Sequence, residues 1–449
     1  MANFNIDHTK DNTYDVIVIG SGMSGGWAAK EFTEKGLKTL VIERGREVKH
    51  NVNYPTTNMN PWEFKHRGRI PEDVKKENPI ASKCYVFNED AEHFVSKDKE
   101  HPYVQEKPFD WIKGYQTGGK SLLWARQTQR LSDFDFEGPA RDGFAVDWPI
   151  RYKDLAPWYS HVEKFVGIAG NLDGLDILPD GEFLPGMELN CLEKYFKSSV
   201  EKNYTNRHVI SGRCAHITEN RDIFAQQGRG QCQYRNLCQR GCPFGGYFSS
   251  NSSTLPWAMK TGNLTMIHNS VVESILYDEQ KEKATGVMVI DDETKEVKEY
   301  FASIIFVNAG ALNTNLILLN SKSSRFQEGL GNDNGLLGKY VAFHNYRARM
   351  SGEFDGYADK HTTGREPTSA YLPRFRNVEK QETNFLRGYA SGFTARRQIL
   401  QDTSGIGNNL KEGLLNPTYG VWQVGSHMMG ETIPKEENQI SLDREKTDD

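Results

Sequence analysis

The sequence predicts an α/β chain, α+β overall, in which a Rossmann-like domain is interleaved with a second domain built on an antiparallel sheet. Three observations carry the prediction. An apolar strand runs into a glycine-rich turn and a helix within the first 45 residues. A second apolar strand, at 303–308, ends in a small-residue turn and another helix. Alternating strand-like patches then occupy 345–430.

The first unit, 14–45, opens with YDVIVIG. The continuous apolar run Val16, Ile17, Val18, Ile19 delivers the chain to Gly20-Ser21-Gly22-Met23-Ser24-Gly25, and a helix follows over 27–35. Gly20 permits the tight turn, Gly22 lets backbone N–H groups approach a pyrophosphate, and Gly25 lets helix and strand pack closely. The helix start offers unpaired N–H groups and a partial positive charge. A second run, KTLVIER, ends in Glu43 and Arg44, with Glu43 18 residues beyond Gly25, where a carboxylate would accept from ribose hydroxyls. A glycine turn alone is weak evidence and occurs in α/β proteins without a cofactor. Strand, turn, helix, strand and acid in this order point to a dinucleotide.

Residues 46–110 are polar and Pro/Asn-rich, a long excursion with short local elements. The run GYQTGGKSLLW follows, and 147–167 reads as an aromatic turn and a helix, with Leu155, Trp158, Tyr159, Val162 and Val166 at helical spacing. Another helix and strand fill 190–213. Strands are predicted at 264–267 and 271–277, a hairpin pairs 284–290 with 295–301, 303–308 is a buried strand, and 311–319 is a helix. Patches at 347–354 and 419–424 are strand-like. No closing strand and helix follow Ala309-Gly310, so the nucleotide fold reads as unfinished at Asp449.

Composition narrows the function classes. The chain has 449 residues, 26% charged and 37% hydrophobic, with a formal net charge of -5. That balance gives no basic footprint for nucleic acid. No apolar stretch reaches the length of a transmembrane helix. The polar N-terminus, with His8 and Lys10, reads as a solvated tail and carries no secretory h-region. Of six cysteines, Cys232, Cys238 and Cys242 fall in one eleven-residue window. Such clustering argues for metal or redox chemistry before structural disulfides. Cys84, Cys191 and Cys214 are isolated and read as buried small hydrophobes.

Taken together, GSGMSG at 20–25, GGKSLLW at 118–124, DWPIRYKDLAPWYS at 147–160, IIFVNAGALNTNLILLNS at 304–321 and GLLGKYVAFHN at 335–345 resemble the glucose–methanol–choline (GMC) family of FAD-dependent oxidoreductases, in its sugar dehydrogenase and glucoside 3-dehydrogenase-like branch. The resemblance divides the chain into a discontinuous FAD-binding region, 14–345, which includes the cysteine segment 228–250, and a substrate-domain portion, 346–449. It implies that Gly118, Gly119 and Ser121 contact FAD, that Ala309 and Gly310 lie near it, and that Val272 packs against the adenine, plain core being the competing reading for Val272. Relatives place a flavin-linked histidine where this chain has Leu123, so the FAD is expected to be non-covalent.

The segment C-x₅-C-x₃-C-P resembles one that holds a [3Fe–4S] cluster in bacterial sugar dehydrogenases. Two other readings stay open: a zinc site using His216 as a fourth ligand, and reduced cysteines in a packed loop. The family's proton-accepting histidine and its His or Asn partner have no match before Asp449. They are expected beyond it, and the closing segment of the domain with them. His427 reads as pocket-lining or structural, and His344 as a hydrogen-bonding residue.

The resemblance therefore implies an enzyme that oxidises a CH–OH group of a sugar, glycoside or related alcohol by hydride transfer to flavin. Electrons would pass through the cluster to a cytochrome or quinone. Such enzymes travel with a small subunit bearing a twin-arginine signal, which would make a cytoplasmic-looking chain periplasmic. The alternatives are an oxygen-using oxidase and an inactive fragment or pseudoenzyme.

Overall fold

The computed structural model describes residues 12–145, 147–346, 348–361, 369–443 and 445–446. The tail carrying His8 and Lys10 lies outside them, as does Arg347. The chain forms two discontinuous units. One comprises Met1–Trp124, Gln239–Val341 and Lys435–Asp449; the other comprises Ala125–Cys238 and Ala342–Pro434.

The first unit is built on six strands. Strand β1 (Thr13–Ile19) leads into helix α1 (Met23–Glu34), and β2 (Thr39–Ile42) follows. β1 pairs in parallel with β2 on one side and with Val297–Val307 on the other, and β2 pairs in parallel with Leu264–Ile267. Lys283–Asp291 and Ser270–Asp278 extend the sheet antiparallel beyond Val297–Val307. Because side chains alternate along a strand, the apolar run of β1 feeds two cores. Val16 and Val18 pack with Ala28, Ala29, Leu255 and Ala258, while Ile17 and Ile19 join Leu40, Ile42, Ile267 and Ile317.

The expected strands at 295–301 and 303–308 are one element, Val297–Val307. Its first half pairs antiparallel with Lys283–Asp291 and its second half in parallel with β1, Phe301 taking part in both. The second half is not buried on both faces either: Ile304 and Phe306 are exposed, Phe306 meeting the ring edge of Phe32. Residues 435–446 return to this unit, with Val341 N–H donating to Asn438 O and Ile440 N–H to Gly338 O.

The second unit carries an antiparallel sheet, ordered His344–Asn345, Thr418–Glu431, Ala390–Leu400, Ala370–Leu372 and Ile210–Ser211, with Arg349–Phe354 also paired to Thr418–Glu431. One face packs Trp422, Ala395 and Leu192 into a core that Phe354 and Phe393 flank. The expected helix is present as Tyr152–Val166. Its buried residues are Glu163, Phe165 and Val166, whereas Trp158 is 64% exposed. The Arg130 guanidinium draws Glu163 inward, at 2.6 Å, and so sets which side of the helix is covered. Among the described residues no helix is long and apolar enough to cross a membrane.

Candidate functional site

The carboxyl ends of β1, β2 and Val297–Val307 lie side by side, the edge at which open α/β sheets bind nucleotides. β1 ends at Gly20, with φ +91°, where a Cβ would stand 2.7 Å from Asn308 O and 3.2 Å from the Cα of Ala309. A Cβ on Gly25 would overlap Gly20 O, so any larger residue would push α1 off the strand. Gly22 precedes α1 without a side-chain cap, and nothing stands within 4 Å of where its Cβ would be. The first N–H groups of α1 therefore face an open cradle and are available to phosphate. Met23 and Ser24 form the first turn of that helix. Gly310, with φ +80°, precedes a second helix, Ala311–Asn320, also without a side-chain cap.

Glu43 closes the cradle from β2. It is 5% exposed. Its Oε2 accepts the Ser21 N–H at 3.0 Å and the Ser21 Oγ–H at 2.5 Å, and its Oε1 accepts the Gly45 N–H at 3.0 Å. Burial raises its pKa, and the donors from Ser21 and Gly45 oppose the rise. Ser21 Oγ in turn accepts the Gly118 N–H at 2.9 Å. One buried hydroxyl thus ties the turn after β1, the end of β2 and the Gly118–Gly119 turn together. Gly118 and Gly119 take φ +81° and +48°, and a Cβ on Gly119 would sit 3.4 Å from the Cα of Gly22. Ser121 Oγ accepts the Ser250 N–H at 3.0 Å, and Ser250 Oγ donates to Gly22 O at 3.0 Å.

Next to this cradle a cavity of about 340 Å³ is lined by Arg44, Gly45, Arg46, His93, Lys97, Tyr115 and Asn269, among others. Arg44 lies over the Tyr115 ring, 4.0 Å from its centroid. Burial, with Arg46 and Lys97 nearby, lowers the His93 pKa to about 4, so the imidazole is neutral at pH 7. Val272 lies in the apolar core of the sheet and does not line the cavity.

The fold thus brings Gly20, Ser21, Gly22, Gly25, Glu43, Gly118, Gly119, Ser121, Ala309 and Gly310 to one place. Sequence reasoning missed Ser250 and Asn251. Their signal was present in the run SSNSST, 249–254, six small polar residues that are all buried. The residues fit a dinucleotide such as FAD: Gly20 and Gly25 tolerate no Cβ, and the start of α1 beyond Gly22 is open and has no side-chain cap.

The cysteine segment is held differently. Cys232 N–H donates to Ile217 O in the second unit. In the first unit, Arg240 donates to Met59 O at 2.9 Å and Thr57 Oγ1 to Gly241 O at 2.7 Å. None of the six cysteines forms a disulfide. Among the described residues no group of three or more His, Cys, Asp or Glu side chains stands together as a metal site. Cys232 Sγ accepts the Tyr234 N–H at 3.2 Å. Cys214 is buried and Cys84 and Cys191 are partly so, each of these two packed against a core. His216, the fourth ligand of the zinc reading, is buried, and desolvation beside Arg229 lowers its pKa to about 4. His344 is exposed at a sheet edge. His427 is half-buried opposite Gly392, where a Cβ would collide with its ring, and burial followed by Arg349 lowers its pKa.

Comparison with known proteins agrees with this geometry. Residues 148–344 match the family model described as GMC oxidoreductase, and residues 15–55 match that of an FAD binding domain. The chain is 26% identical to 2-methyl-1,2-propanediol dehydrogenase of Mycolicibacterium austroafricanum, over 98% of this chain and 75% of that protein. It is 24% identical to the fructose dehydrogenase large subunit of Gluconobacter japonicus, over 74% of this chain but 58% of that one. Among solved structures, pyridoxine 4-oxidase from Mesorbium loti superposes with a TM-score of 0.50 at 16% identity, covering 92% of this chain and 71% of that chain.

Proposed function

From the premise that this chain belongs to the GMC oxidoreductase family, whose members bind FAD, we propose that it oxidises a CH–OH group of a sugar, glycoside or related alcohol. The observation that carries the reading is the buried Ser21–Glu43–Gly118 cradle at the start of α1. Bound FAD supplies the hydride-accepting chemistry. The chain's own part is to hold it. The α1 N–H groups and the Gly118–Gly119 turn would receive its pyrophosphate, Glu43, which holds Ser21 and Gly45 at the end of β2, would stand on the ribose side, and the cavity beside Arg44 would receive the adenosine end. Leu123 is buried against the core beneath the Gly118 turn and has no atom able to bond flavin covalently.

The relatives named as dehydrogenases of a diol and of fructose support a small polyol or sugar as the donor. The test is purification with FAD followed by anaerobic addition of candidate sugars and diols. The reading requires one flavin per chain, released by acid, and bleaching of its absorbance near 450 nm by at least one donor. A chain that binds no FAD would sink it.

A second reading concerns the electron acceptor. Cys232, Cys238 and Cys242 would hold a [3Fe–4S] cluster that passes electrons to a cytochrome or quinone, with a small signal-bearing subunit as companion and a periplasmic location. Its support is the closeness of the three cysteines in the sequence, the N–H donated to Cys232 Sγ and the word subunit in the fructose dehydrogenase name. No step of the reaction is routed through the cluster here. Iron and acid-labile sulfide in anaerobically purified protein test it: iron at about three per flavin supports it, and metal-free or zinc-loaded protein removes it. Sugar-dependent peroxide without an added acceptor would favour the oxidase alternative.

A further inference from the structure

In the second unit, Ala390–Leu400 and Thr418–Glu431 pair as a hairpin whose connection, 401–417, folds into a small tip. Among the described residues, the helix at the middle of that tip, Asn408–Leu415, buries none of its side chains and has no side-chain cap. Hydrogen bonds give the tip its shape. Asp402 N–H donates to Gly413 O at 3.3 Å, and Gln401 Nε2 donates to Leu414 O at 3.2 Å. Ser404 donates its N–H and its Oγ–H to Asp402 Oδ1, at 2.9 and 2.6 Å. A Cβ on Gly413 would overlap Asp402 O, so helix and strand end are pressed together there. The large apolar side chains nevertheless stay outside: Ile399, Leu400 and Leu415 are exposed, and Ile406 is 89% so. A helix of two turns is marginal in water and takes its stability from burying an apolar face. An apolar patch held in one shape at the surface marks a contact.

Charge decides between the occupants. A helix that lies on anionic lipid carries a face of Lys and Arg, whereas 398–419 holds one lysine against Asp402 and Glu412. Lys411 and Glu412 stand side by side at the middle of the helix, both exposed. A twofold axis at that point lays a second copy antiparallel and sets each lysine against the glutamate of the other copy, with apolar residues to either side. An isologous contact must be self-complementary in this way. The surface from 399 to 419 amounts to about 20 residues a side, the size at which specific interfaces begin. We propose that this hairpin tip joins two copies of the chain in an isologous dimer, in which Ile406 and Leu415 are buried and Lys411 of each copy pairs with Glu412 of the other. No cofactor enters this contact.

Sedimentation velocity on the full chain, run across the micromolar range, reads the oligomeric state directly. The parent is expected to be a dimer. Ile406→Asp together with Leu415→Asp places carboxylates in the contact and is expected to raise the dimer dissociation constant about tenfold or more. Both side chains are exposed within one copy, so the melting temperature of the monomer should stay near that of the parent. Lys411→Glu alone weakens the dimer by setting like charges together, and Lys411→Glu combined with Glu412→Lys restores it, because the exchanged pair meets again across the axis. A parent that stays monomeric, a dimer indifferent to the aspartate pair, or a double exchange that fails to restore would each overturn the proposal. A monomer that sediments with phosphatidylserine vesicles would assign the tip to a membrane instead. Should the aspartate pair fail to fold, the charge series decides alone.

Discussion

The two sheets of this protein bury their residues by different rules. In the nucleotide unit, β1 is covered on both faces and reads as an uninterrupted apolar run. Its specificity is concentrated at one end, where glycines and buried polar hydrogen bonds leave little freedom. In the second unit, Thr418–Glu431 buries only Trp422 fully. Trp422 and Val424 face a core built on helix Cys191–Asn203, while Gln423, Gly425 and His427 take the other face and pair with Glu353, Ser351 and Arg349. A parallel strand announces its function by what must follow it. An antiparallel strand hides its function among polar residues that a solvated face would carry anyway.

The contrast can be broken in four places. The largest effect belongs to Trp422→Ala, because the indole is fully buried: about 3–5 kcal/mol of stability is lost, read by thermal or urea unfolding. A loss below about 1 kcal/mol would mean that this face is not the core. Gly25→Ala comes next. Its Cβ overlaps Gly20 O, so about 3 kcal/mol of overpacking is expected, with FAD binding lost before secondary structure. Retained FAD affinity would break the claim that the glycine sets the helix–strand distance.

Each unit also holds a neutral histidine, the partly buried His93 in the first and the buried His216 in the second. For His216 the folded pKa, about 4, lies below the ordinary 6.5. The unfolded chain therefore binds more protons between these values, and stability, complete above pH 6.5, falls as pH drops toward 4. The loss reaches about 3 kcal/mol at its fullest, and His216→Gln should flatten that part of a Tm-against-pH curve. An unchanged slope would place the acid sensitivity elsewhere. The smallest effect is expected for Gln423→Ala on the exposed face, within about 0.5 kcal/mol. A larger cost would show that this face is covered.

Much of the cradle was legible beforehand because its constraints are local. A tight turn, a close helix and a strand end must be spelled by Gly20, Gly25 and Glu43 within one short segment. The convergence of residues far apart in sequence was not legible. Ser250 and Asn251 lie more than a hundred residues from Thr117 and Ser121, with nothing local to mark a partner. Val272 entered the reading through resemblance and sits in the apolar core. The spacing of Trp158 suggested burial, but the buried pair Arg130–Glu163 turned a different side of that helix inward.

The sequence by itself determined the fold class, the dinucleotide signature and the place of the parallel strands, because apolar period and glycine φ are properties of neighbouring residues. Tertiary structure alone decided that Val297–Val307 is one strand serving two kinds of pairing, that Ser21 Oγ joins three chain segments, and that the Asn251 amide ties Val48 to Thr117. Those outcomes depend on which distant groups compete for a buried hydrogen bond, and only the folded chain, with water excluded, ranks them.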